Sequence, residues 1–312
     1  MAARWRTPLV ALGILALAGA GVAYALTAAR PLDPDAAVLT AGDAARGERI
    51  FHLGGCQSCH GAPDQSGNFA LPDGPLAGGL RLDTEFGTFV VPNISPHEAA
   101  GIGSWKELDF ASAMLRGVSP EGAHYYPSFP YASYTRMPIG DVMDLFAYLQ
   151  TLEPSDAVQP EHELRFPFSI RQSVGGWKLL FLDDDWVADG APEGLVERGR
   201  AIVEGPGHCA ECHTPRNALG GLDTDRWMAG GPNPDGDGRI PNITPHESGI
   251  GSWSEADIAY YLETGFTPDF DSVGGSMVAV QREMAKVGAD DRAAIAAYLK
   301  FIEAKPSAGE DG

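Results

Sequence analysis

Apolar positions in the body of this chain recur with helical spacing. Val142, Leu145, Phe146 and Leu149 form one stripe, and Ile295, Ala296, Tyr298 and Leu299 form a second, each predicting a helix with one buried face. Further helices are predicted from near Asp43 into Cys56 and over about 192–204. The pairs Ser104/Glu107 and Ser252/Glu255 read as capping boxes opening helices that end near Gly117 and Gly265. Long Gly- and Pro-rich loops separate these elements, as expected where a large flat group rather than a sheet fills the core. A different pattern occupies the start, where Leu9 to Ala28 is almost wholly apolar and no charge falls between Arg6 and Arg30. Such a run is long enough to cross about 30 Å of hydrocarbon. The segment is expected to be a transmembrane helix oriented by Arg4 and Arg6. A cleaved signal is the alternative, given the A-x-A-like Ala23-Tyr24-Ala25.

The chain repeats itself. Val91-Pro92-Asn93-Ile94-Ser95-Pro96-His97-Glu98 returns as Ile240-Pro241-Asn242-Ile243-Thr244-Pro245-His246-Glu247, and Gly101-Ile102-Gly103-Ser104-Trp105 returns as Gly249-Ile250-Gly251-Ser252-Trp253. Offsets of 148 to 153 residues are too long for a solenoid unit and fit a duplicated domain. The expected organisation is a mainly α chain: an N-terminal segment over 1–30, a first domain over 31–153, a connector over 154–191 and a second domain over 192–312. Phe166, Phe168, Trp177 and Phe181 give the connector side chains to pack against something.

Composition sharpens this picture at one point. The net charge is −20, and the first 30 residues carry only arginines, so the remainder is strongly acidic. That field repels nucleic acid and anionic lipid, and it steers basic protein partners at low salt.

All four cysteines belong to two copies of one motif, Cys56-Gln57-Ser58-Cys59-His60 and Cys209-Ala210-Glu211-Cys212-His213. Cys-x-x-Cys-His is the signature of covalent haem attachment, in which two sulfurs hold the porphyrin and the next histidine ligates the iron. Two covalently attached haem c groups are expected. Four thiolates on one zinc would leave both histidines unexplained, a thioredoxin-like pair needs no histidine, and disulfides at this spacing would brace little. The carbonyls of Pro92 and Pro241 are expected to accept the Nδ1 protons of His60 and His213.

Six-coordinate iron requires a second ligand in each domain. Met137, in the loop before a helix, is preferred over Met114 and Met143, which sit at helical positions. Met277, beside Gly274 and Gly275, is preferred over Met284. His52, His97, His124, His208 and His246 remain candidates, although His97 and His246 lie in Pro-rich turns.

These residues, with Phe86-Gly87-Thr88, Tyr126-Pro127-Ser128-Phe129-Pro130-Tyr131, Cys212-His213-Thr214-Pro215-Arg216 and Gly275-Ser276-Met277, carry a family likeness over roughly 43–303. The chain resembles the membrane-anchored di-haem cytochromes c of proteobacteria, related to the cytochrome subunits of membrane-bound alcohol and gluconate dehydrogenases. The resemblance implies a transmembrane helix followed by two tandem cytochrome c domains, with Met137 and Met277 as distal ligands. It departs in haem number, since the dehydrogenase subunits carry three and only two motifs occur here. The implied function is electron relay from a periplasmic dehydrogenase or redox protein to a cytochrome, quinol-linked or oxidase acceptor, at the inner membrane with the domains facing the periplasm and no nucleic acid involved. Peroxidase activity, or a place as a subunit of a haem-containing oxidase or dehydrogenase, is the alternative.

Overall fold

The computed structural model describes residues 6–35, 37–67, 70–233 and 238–309, with side chains of the first helix from Ala11 onward. That helix, α1 (Arg6–Thr27), is followed by α2 (Ala44–Leu53), α3 (Cys56–His60), α4 (Glu107–Arg116), α5 (Tyr131–Tyr134) and α6 (Ile139–Leu149). Next come α7 (Ser173–Phe181), α8 (Leu195–Val203), α9 (Ala210–His213), α10 (Glu255–Thr264), α11 (Met277–Met284) and α12 (Ala289–Phe301). Strands are short. Antiparallel β1 (Arg81–Thr84) and β2 (Gly87–Val90) are joined by β3 (Glu163–Leu164), and β4 (Gly231–Pro232) pairs with β5 (Arg239–Ile240).

The expected transmembrane helix is corrected by the structure. Among the described residues no helix is long and apolar enough to cross a membrane. The described part of α1 includes Gly13, Gly19 and Gly21. The C-terminal end of α1 is engaged by protein: His124 Nε2 donates to the Thr27 carbonyl at 2.8 Å. Gly175 of α7 lies so close that a Cβ there would stand 2.0 Å from the same oxygen. Neither a membrane anchor nor a membrane partner through this helix follows. Arg4 lies outside the described residues, as does the side chain of Arg6.

Local chemistry explains the helix ends. Asp43 accepts from the backbone N–H groups of Ala45 and Arg46 and starts α2. The boxes of α4 and α10 sit two residues later than the sequence pattern implied. Trp105 and Trp253 still belong to turns closed by their N–H groups on the Ile102 and Ile250 carbonyls, so helix cannot begin before them. Asp109 therefore accepts from the Lys106 N–H, and Ser254 and Asp257 cap each other reciprocally. Gly117 and Gly265, at φ 59° and 79°, end these helices in the left-handed conformation.

The same helix crossing is built twice. A Cβ on Gly47 of α2 would meet the Asp144 carbonyl oxygen of α6 at 1.9 Å and Tyr148 Cβ at 2.8 Å. On Gly199 of α8 it would meet the Ala294 oxygen of α12 at 2.0 Å and Tyr298 Cβ at 2.6 Å. The stripes of α6 and α12 are buried. In the connector, Phe168 packs edge-on against Phe86, and Trp177 meets Tyr131 edge-on and Phe181 at a tilt, while Phe166 is exposed. The two halves share a single apolar cluster running from Ile50 to Ile302.

Candidate haem-binding site

Each Cys-x-x-Cys-His segment forms a short helix at the end of the longer one before it. Gly55 precedes Cys56 at φ 55°, and His208 precedes Cys209 at φ 37° in the corresponding place. A loop then wraps back under the histidine. Gly78 N–H donates to the His60 carbonyl and Gly230 N–H to that of His213, both at 2.8 Å. At both glycines a Cβ would lie 2.5 Å from backbone oxygen of the Pro92 or Pro241 segment, so only glycine lets the strands approach this closely.

That approach orients the imidazoles as expected. His60 Nδ1 donates to the Pro92 carbonyl at 2.8 Å, and His213 Nδ1 donates to the Pro241 carbonyl at 2.9 Å. A carbonyl only accepts, which puts the proton on Nδ1. Burial pushes His60 down to about 4, against the opposing pull of its hydrogen bond to Pro92, and it lowers His213 for the same reason. Both rings are therefore neutral at pH 7, with the Nε2 lone pair available for iron. Among the described residues no three His, Cys, Asp or Glu side chains gather into a metal site, so the four sulfurs do not converge as zinc would need. The donor set fits haem.

Met137 is 5% exposed, between α5 and α6, while Met114 and Met143 pack inside α4 and α6. Met277 is the first residue of α11 rather than a loop residue, half-buried against the shared cluster, and Met284 at the other end of α11 is 4% exposed. The position that repeats Met137, two residues before the start of α12, is Val287. The second module thus carries its methionines earlier in the chain than the first. Cys56, Met137, Cys209 and Met277 all border the same apolar cluster.

The remaining histidines have other partners. His97 accepts from the Ala100 N–H, His246 bonds Ser248, and His208 Nδ1 donates to the Pro206 carbonyl. His52 donates to Glu283 at 2.7 Å. The sequence reading missed Glu283 and Glu204, 1% and 0% exposed, at the seam between the modules. Glu204 accepts from the N–H groups of Val187 and Ala188 and from the Tyr298 hydroxyl. Burial opposes the charge of Glu283, but hydrogen bonds from His52 and Lys286 hold its carboxyl below the usual range. No local pattern marks either acid: Glu283 meets His52 of the other module, and Glu204 meets Val187, Ala188 and Tyr298.

The family model of cytochrome c matches residues 44–153. A diheme cytochrome c-type protein of Cereibacter sphaeroides is 54% identical over 295 residues, covering 94% of this chain and 97% of its own length. This chain belongs to the di-haem c-type cytochromes. The cytochrome is also similar to the fructose dehydrogenase cytochrome subunit of Gluconobacter japonicus, at 35% identity over 95% of this chain. The cytochrome c subunit of a quinone-dependent alcohol dehydrogenase from Gluconobacter oxydans is 32% identical over 91% of it. The chain spans 59% of the length of each of these two subunits. The cytochrome binds two haem c groups covalently and transfers electrons without catalysing bond chemistry itself.

Proposed function

We propose that this cytochrome takes electrons from a dehydrogenase partner on the periplasmic side of a bacterial membrane and relays them through two modules, 31–153 and 192–312, to a respiratory acceptor. The dehydrogenase relatives support the donor, and the export-like apolar segment supports the compartment. Haem c supplies the one-electron iron couple. Cys56, Cys59 and His60 hold the first group, and Cys209, Cys212 and His213 hold the second. Met137 and Met277 are the distal ligands, their thioethers favouring the reduced state.

The observation that carries this reading is the matched pair of Nδ1 hydrogen bonds, 2.8 Å to Pro92 and 2.9 Å to Pro241, each turning a neutral imidazole to the same task. The protein's own work is to fix those rings, exclude water from the cluster that Cys56 and Cys209 border, and hold the modules together.

Met137→Ala and Met277→Ala, each in the full haem-loaded chain, test the ligands. Each should convert one haem from low-spin His/Met to a high-spin or religated form, with loss of the near-infrared methionine band. A spectrum unchanged by Met277→Ala but altered by Met284→Ala would move the second ligand to Met284.

A further inference from the structure

The two modules build the same loop and treat it differently. In the first, Val118 bridges His124, Ser119 N–H donates to Ala123 and Gly122 N–H donates to Ser119. In the second, Phe266 bridges Ser272, Thr267 N–H donates to Asp271 and Phe270 N–H donates to Thr267. Position for position, Phe270 stands where the first module has Gly122.

Both residues adopt left-handed backbone, at φ 78° for Gly122 and 64° for Phe270. Glycine accepts this without cost, whereas a bulky aromatic is strained there. The Phe270 side chain recovers nothing by burial, being 91% exposed, and Phe266 in the same loop is 48% exposed. Strain combined with full exposure of an aromatic ring is unexplained by folding.

In the first module the two ends of the loop are covered, Val118 being 1% exposed and His124 6%, while Gly122 at the tip is exposed. The cover is the end of α1 together with α7 and the turn before it. Lys178 Nζ donates to the Arg116 and Gly117 carbonyls at the end of α4 at 2.6 and 2.8 Å, and Arg171 donates to the His124 carbonyl. At the end of α10 the Gly265 carbonyl accepts from the Val273 N–H and Gln281 Nε2 donates to the Glu263 carbonyl. Asp269 and Asp271 are exposed beside the two phenylalanines.

We infer that the loop 266–272 is the docking surface for a basic redox protein, which seats apolar side chains on Phe266 and Phe270 and places a lysine or arginine beside Asp269 and Asp271. The inference rests on the proposed relay and assigns its protein contact to the second module, where the loop leads into Met277. A second copy of this acidic chain would bring like charge to the same place. An aromatic anchor rimmed by polar groups is the arrangement that dominates binding energy in protein contacts, and the charges steer encounter.

The test uses the haem-loaded full chain and a small soluble lysine-rich cytochrome c as probe, mixed in stopped flow at low and high salt. Phe270→Gly, which restores the residue of the sister loop, should leave the haem spectra unchanged and the unfolding midpoint equal or higher. It should lower the second-order electron-transfer rate about fivefold to tenfold at low salt. Asp269→Asn with Asp271→Asn should lower the rate and flatten its salt dependence. Val158→Ser, an exposed apolar site elsewhere, should do neither. Native rates in Phe270→Gly would overturn the inference while leaving the relay standing. A native dimer abolished by Phe270→Gly would assign the face to a second copy and overturn it as well. Native protein that exchanges no electron with the probe would overturn the relay itself, and this inference with it.

Discussion

Asp291 of α12 is the residue whose loss should most weaken the seam. Its carboxylate accepts four hydrogen bonds: from Arg49 of α2 at 2.6 and 2.8 Å, and from Arg198 of α8 at 2.8 and 2.5 Å. The acid is 3% exposed, but the arginine side chains are 40% and 44% exposed. Removing one member of a fully buried ion pair costs about 3 to 5 kcal/mol. Here water can hydrate the orphaned guanidinium groups, which screens the loss, so Asp291→Asn should cost about 2 to 3 kcal/mol. Arg49→Ala leaves the Arg198 pair intact and should cost only about 1 kcal/mol. Because Arg49 is the arm that crosses between modules, the double variant should cost less than the sum of the two. Urea unfolding of the haem-loaded protein at pH 7, followed by far-ultraviolet circular dichroism, measures each value without adding ionic strength. A loss below about 0.5 kcal/mol for Asp291→Asn would refute the reasoning, because that is the scale of an ordinary surface change.

Two further outcomes are expected. Gly47→Ala and Gly199→Ala press a methyl onto backbone oxygen at 1.9 and 2.0 Å, where neither helix can yield by rotating a side chain. Each should cost about 3 kcal/mol or more, and a midpoint within 2 °C of native would show that the crossings are looser than described. Acid should also weaken the fold. Burial opposes the charges of Asp144, Glu283 and Asp291, but their cationic partners outweigh it and hold all three carboxyls below their ordinary values. Their stabilisation is therefore complete above the unfolded-state values near 4 and is lost as pH falls through the lower folded values. Urea midpoints should be flat from pH 7 to about 5 and fall below about 4, more gently in Asp291→Asn than in the native protein.

The Cys-x-x-Cys-His motifs stood out because covalent haem chemistry demands that fixed spacing, and the duplication was legible because the Pro92 and Pro241 carbonyls serve the same hydrogen bond. Helix ends were readable from Asp43, Gly117 and Gly265, whose roles depend on neighbours within a turn. The boxes at Ser104 and Ser252 misled because a tryptophan turn intervenes, which the spacing alone does not reveal. The N-terminal run misled for another reason: hydropathy counts apolar length and is blind to the engagement of Thr27 by His124 and Gly175. Nothing in the sequence marked Glu204 or Glu283. Their burial depends on surfaces contributed by residues far away in the chain, and pattern reading has no access to that.

Those two acids explain why the halves meet in a single way. At the end of α2, His52 donates to Glu283 of the second module. Near the end of α8, Glu204 lies 3.9 Å from Arg136, which neighbours Met137 in the first module. In both contacts the basic side chain belongs to the first module and the acid to the second. Such pairs in a low-dielectric seam penalise any slipped arrangement by leaving a buried polar group unmatched. The correct arrangement is also the one that brings the attachment segments together: a Cβ on Gly54 would stand 3.4 Å from Cys56 Sγ and 3.5 Å from the Pro206 carbonyl, and the His208 ring lies against Tyr134. The seam contacts therefore hold the two haem attachment points beside each other.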